Sequence, residues 1–222
     1  MTCENVAMWR NTQELFRNYN PVTPAMKVKH TSVWNPIKSY AKTHVAVWKK
    51  DTLECALLLE KPLVLILADD VSPGGCVEAG AGMQEESLFR RSALHKHLVK
   101  NLYPILRDET IYAPDVPLTG AGTIDFIACP GIKMPKLSQN ELFAEDVDVL
   151  ESKIELILQV AYMNGHKHLV LGALGCGVWG CPTKHVALIF KRKIAEYDRV
   201  FQTIVFGILG ANYNIFSEVF AE

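Results

Sequence analysis

The sequence predicts an α/β fold in which a central mixed, mostly parallel sheet is covered by helices on both faces, an α/β/α sandwich. Apolar runs of strand length alternate along the chain with longer segments of helical periodicity, and the connections between them are short. At 222 residues, 49% hydrophobic and 21% charged, the chain can fill one core. Because no linker, charge block or repeat divides it, we expect one domain over residues 1–222, with residues 1–44 as an N-terminal helical extension packed on it.

The first predicted elements are a strand, a helix and a second strand. Val45 to Trp48 form an apolar run of strand length. Asp51 can cap a helix over residues 52–60, whose Leu and Ala side chains fall on one face. Lys61-Pro62 ends that helix, and the continuously apolar run 63–68 predicts a strand that is buried on both sides.

The middle of the chain predicts one long helix and two strands. Apolar side chains recur at helical spacing from residue 84 to about residue 102, so we expect a single amphipathic helix there. Residues 111–113 and 124–129 are apolar runs separated by a segment rich in proline and glycine, which predicts two further strands.

The last third of the chain continues the alternation. Asn164-Gly165 is a typical end for the helix predicted before it. The predicted elements are a helix over 146–163, a buried strand over 169–172, a helix over 183–197, a strand over 201–209 and a short terminal helix over 216–222.

Two glycine-rich loops follow buried strands, at the edge where open α/β sheets bind ligands. The first contains Pro73-Gly74-Gly75-Cys76, and the second, residues 172–180, has four glycines in nine residues. Such loops can point backbone N–H groups at a phosphate, although glycines also fit a surface turn that needs positive φ. Neither loop has the complete Walker or dinucleotide-binding spacing. We expect the two loops to converge on one ligand.

Gln84-Glu85-Glu86 begins the helix after the first loop. Neighbouring helical side chains diverge by about 100°, so we expect one carboxylate to face the ligand and the other to contact a different part of it or solvent. Acidic residues are also favoured in any first turn by the helix dipole, and Arg90 and Arg91 can pair with them as surface charges.

Charge and cysteine content exclude several functions. The 23 basic and 24 acidic residues give a net charge of −1, so we expect no direct sequence-specific nucleic-acid binding. The longest apolar run is strand-sized and no signal peptide is visible, which predicts no membrane association and an intracellular location, cytoplasmic or nuclear. The six cysteines are expected to be reduced thiols. Cys76, Cys176 and Cys181, with His185, lack a zinc-binding spacing, so we expect no metal and no cofactor.

Four segments in order resemble the microbial-type poly(ADP-ribose) glycohydrolases (PARGs), compact members of the macrodomain superfamily. They are Pro73-Gly74-Gly75, the run Gln84-Glu85-Glu86-Ser87-Leu88-Phe89-Arg90-Arg91-Ser92, residues 111–117 and residues 171–180. The likeness extends from about residue 46 to residue 206. Three features depart from the family pattern: Cys76 replaces the third glycine, Ser72 stands where Asn is usual, and the preceding strand ends in Ala68-Asp69-Asp70 rather than in the usual run that contains Asn and Ala. The resemblance implies a macrodomain-like fold.

The resemblance also implies an activity, hydrolysis of the ribose–ribose O-glycosidic bond in poly(ADP-ribose) with release of ADP-ribose. By position, Glu86 would protonate the leaving hydroxyl and then activate water. Glu85 would hold ribose hydroxyls and raise the pKa of its neighbour. Gln84 would lie among the substrate-binding residues and would support the structure of the site rather than take part in the chemistry.

The implied substrate contacts fall on both loops. Trp179 would pack against the distal ribose or, alternatively, fix its loop to the core. Tyr213 would stack on the adenine or pack in the core. The backbone amides expected to hold the diphosphate are those of Gly74, Gly75, Cys76, Gly175, Cys176, Gly177 and Val178.

Other functions remain open from the sequence. A side chain at Cys76 narrows the ligand passage, so the target is either the polymer or a single ADP-ribose unit on protein or nucleic acid. A reader that binds ADP-ribose without cleaving it is a further alternative, although such a module has no need of the Glu85–Glu86 pair. The last alternative is a nucleotide-binding protein outside this superfamily. The expected partners are poly(ADP-ribose) or an ADP-ribosylated protein, with ADP-ribose as product.

Overall fold

The computed structural model describes residues 2–30 and 34–221. Its strands are β1 (Met26–Lys29), β2 (His44–Trp48), β3 (Leu63–Leu67), β4 (Glu109–Pro117), β5 (Thr123–Cys129), β6 (Leu137–Ser138), β7 (Glu141–Leu142), β8 (His168–Leu171) and β9 (Thr203–Gly207). Its helices are α1 (Cys3–Leu15), α2 (Thr52–Ala56), α3 (Gln84–Arg90), α4 (Leu94–His97), α5 (Ala144–Met163), α6 (Thr183–Glu196) and α7 (Ala211–Ala221), with 3₁₀ turns at Val77–Ala79 and Lys100–Leu102. None of these described helices combines the length and apolarity needed to cross a bilayer.

Seven of the described strands form one sheet in the order β1-β4-β5-β3-β8-β9-β2. The pairs β5–β3, β3–β8, β8–β9 and β9–β2 are parallel, whereas β1–β4 and β4–β5 are antiparallel. This confirms the predicted mixed, mostly parallel sheet. The parallel strands β5, β3, β8, β9 and β2 place the loops that follow them at one edge.

Strand β3 shows how the sheet divides the core into two layers. Leu63 and Leu65 belong to the core under α5 and α6, whereas Val64 and Ile66 belong to the core under α3 and α4. All four side chains are at most 1% exposed. The run is therefore buried on both faces, as its continuous apolarity predicted, and helices cover both sides of the sheet.

The helix predicted over 84–102 is wrong: the segment is broken into α3, α4 and a 3₁₀ turn. Between α3 and α4 the backbone pairs with the end of β4 instead of continuing the helix. The Ala93 N–H donates to the Pro117 carbonyl at 2.8 Å, and the Thr119 N–H donates to the Arg91 carbonyl at 2.9 Å. These tertiary hydrogen bonds use a backbone N–H and a carbonyl that would otherwise bond within a helix. The spacing of apolar residues in the sequence does not reveal such bonds.

Several predicted boundaries shift. The Asp51 cap is confirmed, because Asp51 and Glu54 form a reciprocal capping box. The helix ends at Ala56 rather than residue 60, since the N–H groups of Leu58 and Leu59 bond three residues back. The last strand is shorter than 201–209, and the terminal helix begins at Ala211 rather than residue 216.

The N-terminal segment is only partly helical, in contrast to the helical extension expected over residues 1–44. It contributes α1 and also the edge strand β1, which pairs antiparallel with β4. On α1, Trp9 is 5% exposed and its ring centroid lies 6.3 Å from that of Phe89 on α3. The Asn5 side-chain amide also donates to the Gly80 carbonyl at 3.0 Å. Helix α1 therefore packs against both α3 and the first glycine-rich loop.

Truncation of Trp9 tests whether α1 is part of the folded core. We expect Trp9→Ala to lower the free energy of unfolding by about 3–5 kcal/mol, because it removes a buried ring from a packed layer. Met8→Ala is the matched control on the same helix, and since Met8 is 41% exposed its effect should stay near 0.5 kcal/mol. Urea unfolding followed by far-UV circular dichroism measures both. Equal losses for the two variants would show that α1 does not belong to the core.

Candidate active site

The two glycine-rich loops meet around a cavity of about 220 Å³ at the carboxyl edge of β3 and β8. Asp69, named above only as a departure from the family pattern, also lines it, as do Met83 and Gly131, which the sequence did not indicate. The predicted site residues on its wall are Gly75, Cys76, Gln84, Glu85, Glu86, Gly175, Gly177, Val178 and Trp179. Gly74, Cys176 and Tyr213 are not on this wall.

Glu85 is buried at the start of α3, with 4% exposure. Its Oε2 accepts a hydrogen bond from the Asp69 N–H at 2.8 Å, and its Oε1 accepts one from the Gly74 N–H at 3.0 Å. Burial raises the pKa of Glu85 to about 8, the neighbouring Glu86 charge adds to the rise, and the two backbone donors oppose it. Glu85 therefore fastens the first loop to α3.

Glu86 is the second buried carboxyl group, with 7% exposure. Its Oε1 accepts from the Cys76 N–H at 3.2 Å. Its Oε2 is enclosed and, among the described residues, has no hydrogen-bond partner. The expected divergence of Glu85 and Glu86 is not observed, because the loop wraps around the start of α3 and one oxygen of each carboxylate faces Gly75.

Gly74 and Gly75 are required by space and by backbone conformation. Their φ angles are +76° and +52°. A Cβ at Gly74 would lie 2.6 Å from the Phe89 ring, and a Cβ at Gly75 would lie 2.8 Å from Glu86 Oε1. Cys76 has a φ of −104°, which any residue adopts, and its side chain is exposed at the cavity. The third glycine of the family pattern is therefore dispensable for this turn.

The backbone N–H groups of the first loop are already bonded within the protein. Those of Gly74 and Cys76 donate to the two glutamates, and that of Gly75 donates to the Ser72 carbonyl at 3.2 Å. These three amides, expected to hold a diphosphate, instead set the shape of the loop.

Gln84 joins α3 to β3 across the edge of the sheet. Its Oε1 accepts from the Leu67 N–H at 2.9 Å, and its Nε2 donates to the Leu65 carbonyl at 2.7 Å and to Thr52 Oγ1 at 3.2 Å. The side-chain amide continues the ladder of β3 and fixes the position from which Glu85 and Glu86 project.

Arg90 and Arg91 are not the paired surface charges that the sequence suggested. Arg90 is 5% exposed and donates to the Ala81 carbonyl at 2.6 Å. Burial lowers its pKa, and the charge of Glu86 opposes that shift. Arg91 pairs with Asp51 at 3.0 Å. Arg90 thus supplies a buried positive charge behind the catalytic candidate Glu86.

The second loop presents open backbone donors. Among the described residues, no hydrogen bond is formed by the N–H groups of Gly175, Gly177, Val178 and Trp179. Gly175 has a φ of +75°, and a Cβ there would lie 2.7 Å from Cys181 Sγ. Cys176 contributes its carbonyl, which accepts from Asn212 at 3.3 Å, and its N–H is bonded to Ala173.

Trp179 lies half-buried at the end of the first cavity. Its carbonyl accepts from the Met134 N–H at 2.9 Å. Lys133 Nζ lies 5.4 Å from the centroid of its ring and also pairs with Asp70 at 3.2 Å. The indole is therefore held between the cavity and the loop that follows β5.

A second cavity of about 330 Å³ adjoins the first and shares Leu67, Met83, Gln84, Ala173 and Gly177 with it. Asp51, Arg91 and Asn212 line its far side. Tyr213 is not on its wall and packs partly buried against the core, with Lys49 Nζ 5.7 Å from its ring centroid. The sequence indicated Asp51 only as a helix cap and did not indicate Asn212 as a site residue. Both follow strands that end at this sheet edge, β2 and β9, and that position was the available signal.

The cysteines near the second loop are free thiols. Burial raises the pKa of Cys176 to about 12 and that of Cys181 to about 11. Over residues 2–30 and 34–221, no three His, Cys, Asp or Glu side chains cluster as metal ligands. A metal-free site therefore stays a prediction.

The raised pKa of Glu85 predicts a pH-dependent stability. The folded protein keeps a proton that the unfolded chain loses above its ordinary pKa of 4.5, so this contribution is complete below pH 4.5 and is lost as pH rises to about 8. We expect the unfolding free energy to fall by up to about 1.4 kcal/mol per pH unit in this window, and less steeply in Glu85→Gln. Urea titrations at several pH values measure this, with exposed Glu78→Gln as control. Identical slopes in wild type and Glu85→Gln would contradict it.

Known proteins agree with this architecture. The solved PARG of Thermomonospora curvata is 22% identical, with a TM-score of 0.82 over 98% of this chain and 100% of that one. The same enzyme bound to the inhibitor ADP-HPD is 22% identical, with a TM-score of 0.81 over 98% of this chain and 99% of that one. The Deinococcus radiodurans PARG in complex with ADP-ribose is 23% identical, with a TM-score of 0.72 over 100% of this chain and 93% of that one. These likenesses show the fold.

Family membership comes from the sequence itself. No curated protein matches the chain. The family model described as "Microbial-type PARG, catalytic domain" matches residues 4–119, more than half of the chain. The chain therefore belongs to the microbial-type PARG family.

Proposed function

We propose that this chain hydrolyses ribose–ribose O-glycosidic bonds in poly(ADP-ribose) and releases ADP-ribose, the activity for which its family is named. One observation carries the assignment of the chemistry: Glu86 lines the cavity that both glycine-rich loops line, and one of its carboxyl oxygens is buried without a hydrogen-bond partner among the described residues. A buried, unpartnered oxygen at a cavity is costly for folding alone, and it is what a proton-transfer group requires.

In the proposed reaction Glu86 serves first as acid and then as base. Protonated Glu86 donates its proton to the leaving ribose oxygen as the bond from that oxygen to the anomeric carbon breaks. The Glu86 carboxylate then accepts a proton from the attacking water, whose oxygen bonds to the anomeric carbon. Each cycle consumes one water and returns Glu86 to its protonated form.

Glu85 and Gln84 are positioning residues in this proposal. Glu85 holds the backbone at Asp69 and Gly74, and Gln84 anchors the same helix turn to β3. Both groups therefore keep Glu86 Oε2 at a fixed place relative to the loops. The ribose contact expected of Glu85 is compatible with its remaining acceptor capacity.

The diphosphate fits the second loop better than the first. In the second loop, the N–H groups of Gly175, Gly177, Val178 and Trp179 have no acceptor among the described residues, whereas the amides of the first loop are bonded to Glu85, Ser72 and Glu86. Successive N–H groups form an anion site, and the bound diphosphate would itself stabilise an oxocarbenium-like transition state. Trp179 would then pack on the distal ribose, and the adenosine would extend into the second cavity beside Asn212.

Cys76 supports an alternative substrate, a single ADP-ribose unit on protein or nucleic acid. Its exposed side chain lines the cavity where a third glycine would leave space for the chain beyond the cleaved bond.

The six free thiols fit a reducing environment, and we include an intracellular location, cytoplasmic or nuclear, in the proposal.

Replacement of Glu86 tests the chemical assignment. We expect Glu86→Gln to lower turnover of labelled poly(ADP-ribose) by roughly 10²-fold or more, because it removes the proton donor and keeps the shape. ADP-ribose affinity by calorimetry should remain within about threefold. Free ADP-ribose is measured by chromatography, and Glu78→Gln in the same loop serves as control. Undiminished release by Glu86→Gln would overturn the role.

Replacement of Cys76 tests the choice between polymer and single unit. We expect Cys76→Gly to raise kcat/KM on the polymer by up to about tenfold, since it removes a side chain from the passage and leaves an accessible backbone conformation. Cys3→Ser controls for thiol removal elsewhere. If release from mono-ADP-ribosylated protein rises and polymer cleavage does not, the single-unit alternative is favoured.

A further inference from the structure

A third cavity, of about 240 Å³, lies on the opposite side of the first cavity from the second. The second cavity lies toward β9 and β2. The third is lined by the segment that precedes β4, by Pro130 to Lys133 after β5, and by α5. Because the sheet order is β1-β4-β5-β3-β8-β9-β2, the three cavities follow one another along the same edge. Gly131 lines both the first and the third.

Lys153 on α5 is the unusual residue of this cavity. The residue is 3% exposed, and within the described part of the chain its ammonium group has no hydrogen-bond partner. It lies near the end of β5, where burial raises the pKa of the Cys129 thiol and the Lys153 charge opposes that rise. A buried ammonium without a partner is expensive, so an anion that reaches it is held strongly.

Two more cations line the same cavity. Arg107 pairs with Asp146 at 2.9 Å, and Lys133 pairs with Asp70 at 3.2 Å. Arg107 and Lys133 are thus each paired with one carboxylate, so among the described residues the uncompensated positive charge of this wall is that of Lys153. An adjoining fourth cavity shares Arg107 and Lys153 and contains Asp108 and Asp148, so the positive excess is confined to the side nearest the first cavity.

We propose that the cavity formed by Arg107, Lys133 and Lys153 binds a phosphate group. The Lys153 ammonium would donate to a phosphate oxygen, and Arg107 and Lys133 would balance its charge. No residue of this set acts in the proposed proton transfer. The site is separate from the open amides of the second loop.

The position of the cavity suggests the source of that phosphate, an inference that rests on the proposed function. The second cavity and the second loop accommodate one ADP-ribose unit on one side of Glu86. The leaving part of the polymer carries its own diphosphate and must depart on the other side, toward Gly131 and Lys133. A free diphosphate anion is the other source with the same chemistry.

The first arm of the test measures binding without catalysis. Sodium diphosphate is titrated into ¹⁵N-labelled protein, and the backbone amides of Gly131 to Lys133 are followed by NMR. We expect the double variant Arg107→Gln/Lys153→Met to weaken this binding at least tenfold. Arg10→Gln/Lys38→Met, at two exposed positions, is the control that removes the same number of positive charges. Urea unfolding verifies that the variant is folded, since an apolar residue of similar length is tolerated at a buried lysine. Unchanged binding, or no binding by wild type, overturns the proposal.

The second arm separates the two sources of phosphate and the two proposals. Hydrolysis is compared on poly(ADP-ribose) and on ADP-ribose joined through its distal ribose to an uncharged fluorogenic alcohol. We expect the double variant to raise KM at least tenfold on the polymer and to leave KM unchanged on the substrate whose leaving group is uncharged. Loss of diphosphate binding with normal polymer KM assigns the site to the free anion and overturns the polymer as its source. Failure of wild type to cleave either substrate contradicts the proposed function, while the first arm still decides the phosphate site.

Discussion

The structure of the site depends on hydrogen bonds from the first loop to two buried carboxyl groups. The N–H groups of Asp69 and Gly74 bond to Glu85, and that of Cys76 bonds to Glu86. The loop is therefore folded back onto the start of α3 and is shaped before any ligand arrives. This folding requires Gly75, because a side chain there would occupy the space of the carboxyl oxygens. One oxygen of Glu86 remains outside this bonding, and the catalytic proposal rests on it.

The sheet and its helical layers could be predicted because their signals are local. The continuous apolar run of β3 and the capping box at Asp51 each depend on residues close together in sequence. The break between α3 and α4 could not be predicted in this way, since it arises from bonds of Ala93 and Arg91 to residues near the end of β4. Strand β1 was missed because Met26 to Lys29 lie at an edge and have mostly exposed side chains.

The convergence of the two glycine-rich loops on one cavity could be predicted from the sequence, but the contacts within them could not. Glycine content and the Gln84-Glu85-Glu86 run identify two loops and a helix start. They do not reveal that N–H groups of the first loop donate to Glu85 and Glu86, whereas several N–H groups of the second loop have no acceptor among the described residues. They also do not distinguish Arg90, which is buried, from Arg91, which is part-buried and pairs with Asp51. Such differences are set by tertiary packing, which neighbouring residues in the sequence do not encode.

The contact between α1 and the first loop has a practical consequence for handling the protein. The Thr2 carbonyl would lie 3.0 Å from a Cβ at Gly80, and Asn5 donates to the Gly80 carbonyl. Gly80 stands only four residues before Gln84. Bulk added beside Thr2 or Asn5 would therefore press on the segment that supports the two glutamates, whereas α7 packs in the other helical layer. A label for purification or assay is therefore better attached to the exposed face of α7 than to the start of α1.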